Sequence, residues 1–159
     1  MVHMSVYLKK ATEADLRKIH YIQVKSFAQL LLKYEDFESS PAAEGLDDIR
    51  QRFRQPFTDY YLIMLEDQEI GMLRVCDFGE HCRLSPLCIL PEYQGQGYAQ
   101  QAIIRMEACY PNAQLWQLDT IAQEEKLRHL YEKMGYRRIE KTEQIKEGME
   151  LVYYEKPMN

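Results

Sequence analysis

The stretch Leu87-Cys88-Ile89-Leu90-Pro91-Glu92-Tyr93-Gln94-Gly95-Gln96-Gly97-Tyr98-Ala99 decides how this chain reads. An apolar run stops at a proline, a loop with two glycines follows, and a helical pattern opens with no acidic residue in its first turn. The first amides of a helix have no partner inside it, and the helix dipole adds partial positive charge there. Glycine lets an anion approach the main chain where a Cβ would stand in its way. The segment is therefore expected to hold a phosphate or pyrophosphate on main-chain donors from Gly95 to Ala99, with the neutral Gln94 at the rim. A tight turn that uses glycine for geometry alone is the other reading of the same residues.

Two better-known phosphate loops fit less well. A P-loop needs a lysine directly after its last glycine, and none follows here. The dinucleotide fingerprint G-x-G-x-x-G has Gln100 where its third glycine should stand. Asp119 does lie at the end of the following strand, as a ribose-binding acid would, so nicotinamide binding stays open as an alternative. Against it, a dinucleotide fold usually begins with this motif, whereas here three strands precede it.

Upstream, Tyr60–Leu65, Ile70–Phe78 and Cys82–Leu90 read as strands parted by polar or glycine turns, an antiparallel meander. Val6–Lys9 reads as a first strand. Thr12, with Asp15 three residues on, caps a helix whose stripe of Leu16, Ile19, Ile22, Phe27 and Leu30 runs to Lys33. Ser40-Pro41 looks like an N-cap with a first-turn proline, and Leu46, Ile49 and Phe53 supply a short second helix. Downstream, Ala99, Ala102, Ile103, Met106 and Tyr110 form one helix face, and Leu115–Thr120 is the next strand. Leu127, Leu130, Tyr131 and Met134 recur at helical spacing before Gly135, a plausible C′ residue. Tyr136–Thr142 and Met149–Glu155 close the chain as a hairpin. One domain over residues 4–157 is expected; Met1-Val2-His3 precede a second methionine, Met4, and are set aside as an alternative start.

The chain has 25 acidic and 20 basic residues, a net charge of −5. That leaves no surplus cation to displace phosphate counterions, so nucleic acid is not expected as a partner. Cys76, Cys82, Cys88 and Cys109 form no C-x-x-C pair and no zinc-ligand spacing with histidine, so reduced thiols and no metal are expected. Cys88 as an acyl nucleophile is a rival mechanism, but no histidine partner is in sight. With no secretory core and no apolar run approaching the ~18 residues of a membrane span, a cytoplasmic protein is expected.

Gln94, Gly97 and Ala99 satisfy the pattern Arg/Gln-x-x-Gly-x-Gly/Ala, with Pro91 and Tyr93 before it, and Leu130-Tyr131-Glu132-Lys133-Met134-Gly135-Tyr136 forms a second block downstream. On these residues, their interval and the strand order around them, the chain resembles the GNAT superfamily of N-acetyltransferases. The resemblance implies an α/β (α+β) fold with a mixed, largely antiparallel sheet flanked by about four helices. It implies transfer of acetyl from acetyl-CoA to a primary amine by direct attack, with no acyl-enzyme. Gly95, Gln96, Gly97, Tyr98, Ala99 and Gln100 would hold the pyrophosphate, and Gln94 would sit at its rim. Leu87, Cys88 and Ile89 would run along the pantetheine arm, and the Ile89 amide would stabilise the oxyanion. Tyr131 would protonate the leaving thiolate, although packing alone could also explain its place on an apolar stripe. The base is sought among Asp77, Glu80, His81 and Asp119, of which Asp119 stands out on its buried-looking strand.

Glu124 and Leu127 depart from the family, which often has asparagine and alanine there, so a cofactor contact from that asparagine is in question. The acceptor is left as a small amine, amino acid, antibiotic or peptide N-terminus, with Glu35, Asp36, Glu38 and Glu44 hinting at attraction for a cation. The reading from another class is a non-catalytic acetyl-CoA or CoA sensor, which would keep the phosphate loop without needing Tyr131. Monomer and homodimer are both open.

Overall fold

The computed structural model describes residues 4–159; Met1–His3 lie outside them. In chain order the elements are β1 (Val6–Lys10), α1 (Leu16–Tyr34), α2 (Leu46–Phe53), β2 (Thr58–Leu65), β3 (Gln68–Asp77), β4 (His81–Ile89), α3 (Tyr98–Cys109), β5 (Leu115–Ile121), α4 (Glu125–Lys133), β6 (Arg137–Lys146) and β7 (Met149–Pro157). The strands form one sheet in the order β1-β2-β3-β4-β5-β7-β6. Only the β4–β5 pair is parallel; every other neighbour is antiparallel. A doubly wound parallel sheet is thereby excluded, and with it the fold that the nicotinamide alternative requires.

Strand β2 shows why helices cover both faces. Tyr61, Ile63 and Leu65 enter one apolar cluster, with Ala102, Ile103 and Met106 of α3 and Tyr131 of α4. Tyr60, Leu62 and Met64 enter the other, with Leu16, Ile19 and Ile22 of α1 and Ile49 of α2. Successive strand side chains point to opposite faces, so a strand apolar at nearly every position needs a partner layer on each side. Trp116 anchors the α3 and α4 side with no exposed surface. Removing a buried ring of that size costs about 3–5 kcal/mol.

Local signals behave as expected with two adjustments. The Thr12 amide donates to the Asp15 carboxylate at 2.9 Å, but the turn it caps, Glu13–Asp15, is 3-10 and leads into α1. Ser40 Oγ accepts from the Ala42 amide at 3.2 Å, and Pro41–Ala43 forms a separate 3-10 turn. Helix α2 begins only after Gly45. Two exposed glutamates carry positive φ, Glu35 at 52° and Glu66 at 54°.

The sheet's decisive irregularity is in β4. Leu73 pairs with Leu87 and Val75 with Leu84, so β4 spends one more residue than β3 across Ser85-Pro86. Such a bulge bends its strand, and proline there lacks the donor a ladder would use. Arg74 Nε fills the irregularity by donating to the Ser85 carbonyl at 2.6 Å. Pairing of β4 with β5 accordingly covers only His81–Arg83, whereas β5 pairs with β7 along its whole length. Beyond the bulge the two parallel strands part, and the gap between them becomes the site.

Candidate active site

At the carboxyl end of β4 the chain turns through Pro91–Tyr93 into the glycine loop and α3. Gly95 and Gly97 have φ of 77° and 83°, a region that favours glycine, and a Cβ built on either would meet nothing within 4 Å. Their requirement is therefore conformational, and the space above the loop is open. Gln94 donates its own amide back to Pro91, and Gln101 donates to Gly97. Among the described residues, no protein acceptor takes the amides of Gly95 to Gln100, and no side chain caps α3. Six consecutive main-chain donors are left without a protein acceptor at a positive helix end.

The β4 main chain offers a further donor. Leu90 donates to the Ile70 carbonyl at 2.8 Å. Antiparallel pairing alternates, so the neighbouring pair Gly71 and Ile89 is not hydrogen-bonded across β3, and both polar groups of Ile89 face the gap. Gln94 Nε2 takes the Ile89 carbonyl at 2.8 Å. The Ile89 amide stays free on the gap side. Gly71 permits this close pairing, since a Cβ there would lie 2.4 Å from the Cys88 carbonyl oxygen.

A cavity of about 160 Å³ fills the gap. Its floor is Leu84 to Leu87 of β4, and its far wall is Asp119 to Ile121 of β5 with Met149 and Leu151 of β7. Helix α1 closes it with Phe27, Leu30 and Tyr34, the segment 36–41 covers its mouth, and α4 supplies Leu127 and Tyr131.

Tyr131 is held by the way α4 ends. Gly135, at φ 95°, receives the reversed turn. The Tyr136 amide donates to the Tyr131 carbonyl at 3.0 Å and the Gly135 amide to Glu132 at 3.1 Å, a Schellman closure. The Tyr131 and Tyr136 rings meet edge to face at 6.2 Å, and Tyr136 OH donates to Glu107 at 2.8 Å. The second sequence block is thus the geometry that aims Tyr131. Burial raises its phenol above the usual range, and the nearby Asp119 carboxylate adds to the rise. No protein group among the described residues accepts from its hydroxyl.

Asp119 lines the cavity and forms an ion pair with Arg83. Burial pushes its carboxyl up, Arg83 pulls it back, and Glu143 pushes it up again. Asp77, Glu80 and His81 lie at the opposite end of β4 and line no part of the cavity. Cys88 points the other way, into the α1 layer, where burial pushes its thiol up to about 12. It is not among the residues that line the cavity. Among the described residues, no group of three or more histidine, cysteine or acidic side chains is placed to hold a metal, and no helix is long and apolar enough to cross a membrane.

Two of the loop's four acids, Asp36 and Glu44, are bound within the protein. Asp36 accepts from the Ser39 amide at 3.1 Å and from the Ser39 hydroxyl. Glu44 is paired with Arg52 and accepts from Gln23 at 2.9 Å. Glu124 takes Lys33 at 2.7 Å and the Tyr34 hydroxyl, tying α1 to the start of α4. Burial would raise its carboxyl, but those two bonds outweigh it and leave it below its ordinary value. Sequence reasoning missed Arg83, an alternating strand residue with no motif around it. It also missed the bulge, which the proline in Leu84-Ser85-Pro86-Leu87 could have announced.

The site thus combines strands that part around a bulge with a helix end whose amides have no protein acceptor. Residues 18–158 match the acetyltransferase (GNAT) domain, and the chain belongs to that family. A Bacillus subtilis protein, YrkN, is 28% identical over 118 residues, spanning 72% of this chain and 63% of its own length. An acetyltransferase structure from Thermus thermophilus superposes with a TM-score of 0.78 at 20% identity, covering 99% of this chain and all of that one. The Escherichia coli ribosomal-protein-S18-alanine N-acetyltransferase gives 0.79 at 11% identity, with 97% and 94% covered. The Vibrio cholerae spermidine N-acetyltransferase, in complex with CoA and spermine, gives 0.75 at 18% identity, with 95% and 94% covered.

Proposed function

We propose that this protein transfers acetyl from acetyl-CoA to a primary amine by direct attack. The observation that carries the reading is the row of unclaimed amides from Gly95 to Gln100 beside a cavity that reaches Tyr131. The pyrophosphate sits on those amides with Gln94 at its rim, and the pantetheine arm follows Leu87, Cys88 and Ile89 as an added strand. The amine nitrogen attacks the thioester carbon, and the Ile89 amide steadies the oxyanion, a contribution of about 2.7–4 kcal/mol in a dry site. The C–S bond then breaks, and the thiolate takes the Tyr131 proton. Burial also raises the proton affinity of that thiolate, which offsets the weakness of a buried phenol as an acid.

Asp119 receives the proton that the amine sheds. Arg83 holds its Oδ2 and leaves its other oxygen unclaimed, whereas both oxygens of Asp36 accept from Ser39. Between turnovers the proton returns from Asp119 to Tyr131 through solvent. A sensor would need the loop but not this apparatus.

Two measurements test the reading together: thiol release from acetyl-CoA with a panel of amines, and melting temperature with and without acetyl-CoA. Saturating acetyl-CoA is expected to raise melting by about 5–10 °C. In Gly97→Glu the new carboxylate opposes the pyrophosphate, and the rise should vanish. A full rise in that variant removes the assigned loop; a rise without thiol release for any amine leaves a sensor.

A further inference from the structure

Resting on the transferase reading, we infer that the acceptor is a monoamine with a small apolar body, such as an arylalkylamine or a branched alkylamine, and not a polyamine. The acidic composition of residues 34–45 points the other way, toward a polycation. That argument does not reach the cavity: Asp36 and Glu44 are bound within the protein, and Glu35 and Glu38 line no part of it. A second ammonium group needs a carboxylate that is free to meet it, because an unpaired charge taken into a closed site is costly. The cavity wall carries two carboxylates, and neither is left for a second ammonium: both oxygens of Asp36 accept from Ser39, and Asp119, paired with Arg83, serves the reacting amine. Glu44 and Glu124, which could have supplied others, are bound to Arg52 and Lys33 and line no part of the cavity.

Apart from the hydroxyls of Tyr34, Ser39, Ser40, Ser85, Thr120 and Tyr131, what remains of the wall is uncharged and apolar. Phe27 and Leu30 from α1, Ile121 from β5, Leu127 from α4, and Met149 and Leu151 from β7 face the space from four elements. Leu127 stands in one of the positions where the chain departs from its family's small residue, and its bulk adds to this lining. A volume of about 160 Å³ is close to the ~150 Å³ apolar cavity that holds a benzene-sized guest. One ring or a short branched chain matches it; a long extended polycation does not. The same apolar wall disfavours a bound ammonium ion, so it helps the amine enter or persist as the neutral nucleophile.

The test compares 2-phenylethylamine, isopentylamine, spermidine and a short peptide by kcat/KM in the acetyl-CoA thiol-release assay. The two apolar monoamines should exceed spermidine and the peptide by about tenfold or more, the scale of discrimination that buried methylene and ring contacts provide. Phe27→Ala should lower the ratio of 2-phenylethylamine to ethylamine turnover while leaving KM for acetyl-CoA within about twofold. Spermidine or the peptide matching or outrunning the apolar monoamines overturns the inference and leaves the transferase reading standing. If no amine releases thiol, the transferase reading is what fails, and calorimetric titration of the CoA-bound protein decides the pocket. Tighter binding of 2-phenylethylamine than of spermidine upholds the inference there; equal or reversed affinities overturn it.

Discussion

The side-chain amide of Gln94 donates to the carbonyl of Ile89 at 2.8 Å, closing the corner where β4 gives way to the glycine loop. Five residues apart in sequence, the two link the proposed phosphate end of the site to the proposed oxyanion donor. Gln94→Ala would strand a buried carbonyl, which costs about 1–3 kcal/mol when no water replaces the bond. The Ile89 peptide would then be free to tilt. Steady-state kinetics should show KM for acetyl-CoA raised by about five- to tenfold and kcat lowered as well, with a modest loss in melting temperature. An unchanged KM would mean that the corner is not coupled to the cofactor.

The two blocks that announced the fold did so for reasons now visible in Gly97 and Gly135. Each needs positive φ, and each sits where a helix begins or ends. Such positions have few chemical solutions, so they leave a mark on the sequence. The apolar period of β2 was legible for a related reason, because a strand buried on both faces tolerates few polar residues. Ser40-Pro41 carried a true local signal for one 3-10 turn only, and α2 has a separate start after Gly45, whose amide donates to the Asp48 carboxylate at 2.9 Å. The cavity lining was hidden because Phe27 and Leu30 continue a stripe whose other members are core. Nothing in a helical period tells a core position from one that borders a gap opened by a bulge in another strand. The Arg83 and Asp119 pairing was hidden likewise, since it joins residues 36 apart across a parallel strand pair.

Tyr131 is aimed by a helix end rather than by a partner of its hydroxyl, so removing that oxygen should leave its ring and the Schellman closure in place. Tyr131→Phe is expected to keep the melting temperature and the affinity for acetyl-CoA, while kcat falls about 100-fold, the low end of the range for a positioned acid. The discriminating readout is the split between the two constants. A parallel loss of acetyl-CoA affinity would make Tyr131 a packing residue, and equal turnover would remove the acid role.

Direct attack predicts a thiol pattern as well as a rate. Burial pushes Cys82 and Cys88 up to about 12, and Cys76 is also buried, whereas Cys109 is exposed. At pH 8 the two raised thiols hold almost no thiolate, the form that reacts. Native protein treated with an aromatic disulfide reagent should label rapidly at Cys109 alone, and the other three should react only in denaturant. Peptide mapping after incubation with acetyl-CoA alone should show no acetylated Cys88. Finding that adduct at a rate matching turnover would replace direct attack with a covalent route.

The ion pair of Arg83 with Asp119 carries a pH signature whose sign can be worked out in advance. Burial holds the folded-state pKa of Asp119 above its ordinary value, and Arg83 opposes that rise. A carboxyl raised on folding makes the folded state bind more protons than the unfolded one, so it lowers stability as pH climbs through its pKa values. Removing the guanidinium lets the folded pKa climb further and deepens that loss. Arg83→Gln should therefore melt near the wild-type temperature at about pH 4, close to the unfolded carboxyl's own pKa, and fall progressively below it toward pH 7. With Asp119→Asn added, the pH-dependent part of the gap should close, because no proton is left to exchange there. The same Arg83→Gln change should move the acid limb of kcat/KM to higher pH if Asp119 takes the amine's proton. A stability gap that ignores pH would reduce the pair to packing, and an unmoved acid limb would take the base role away from Asp119.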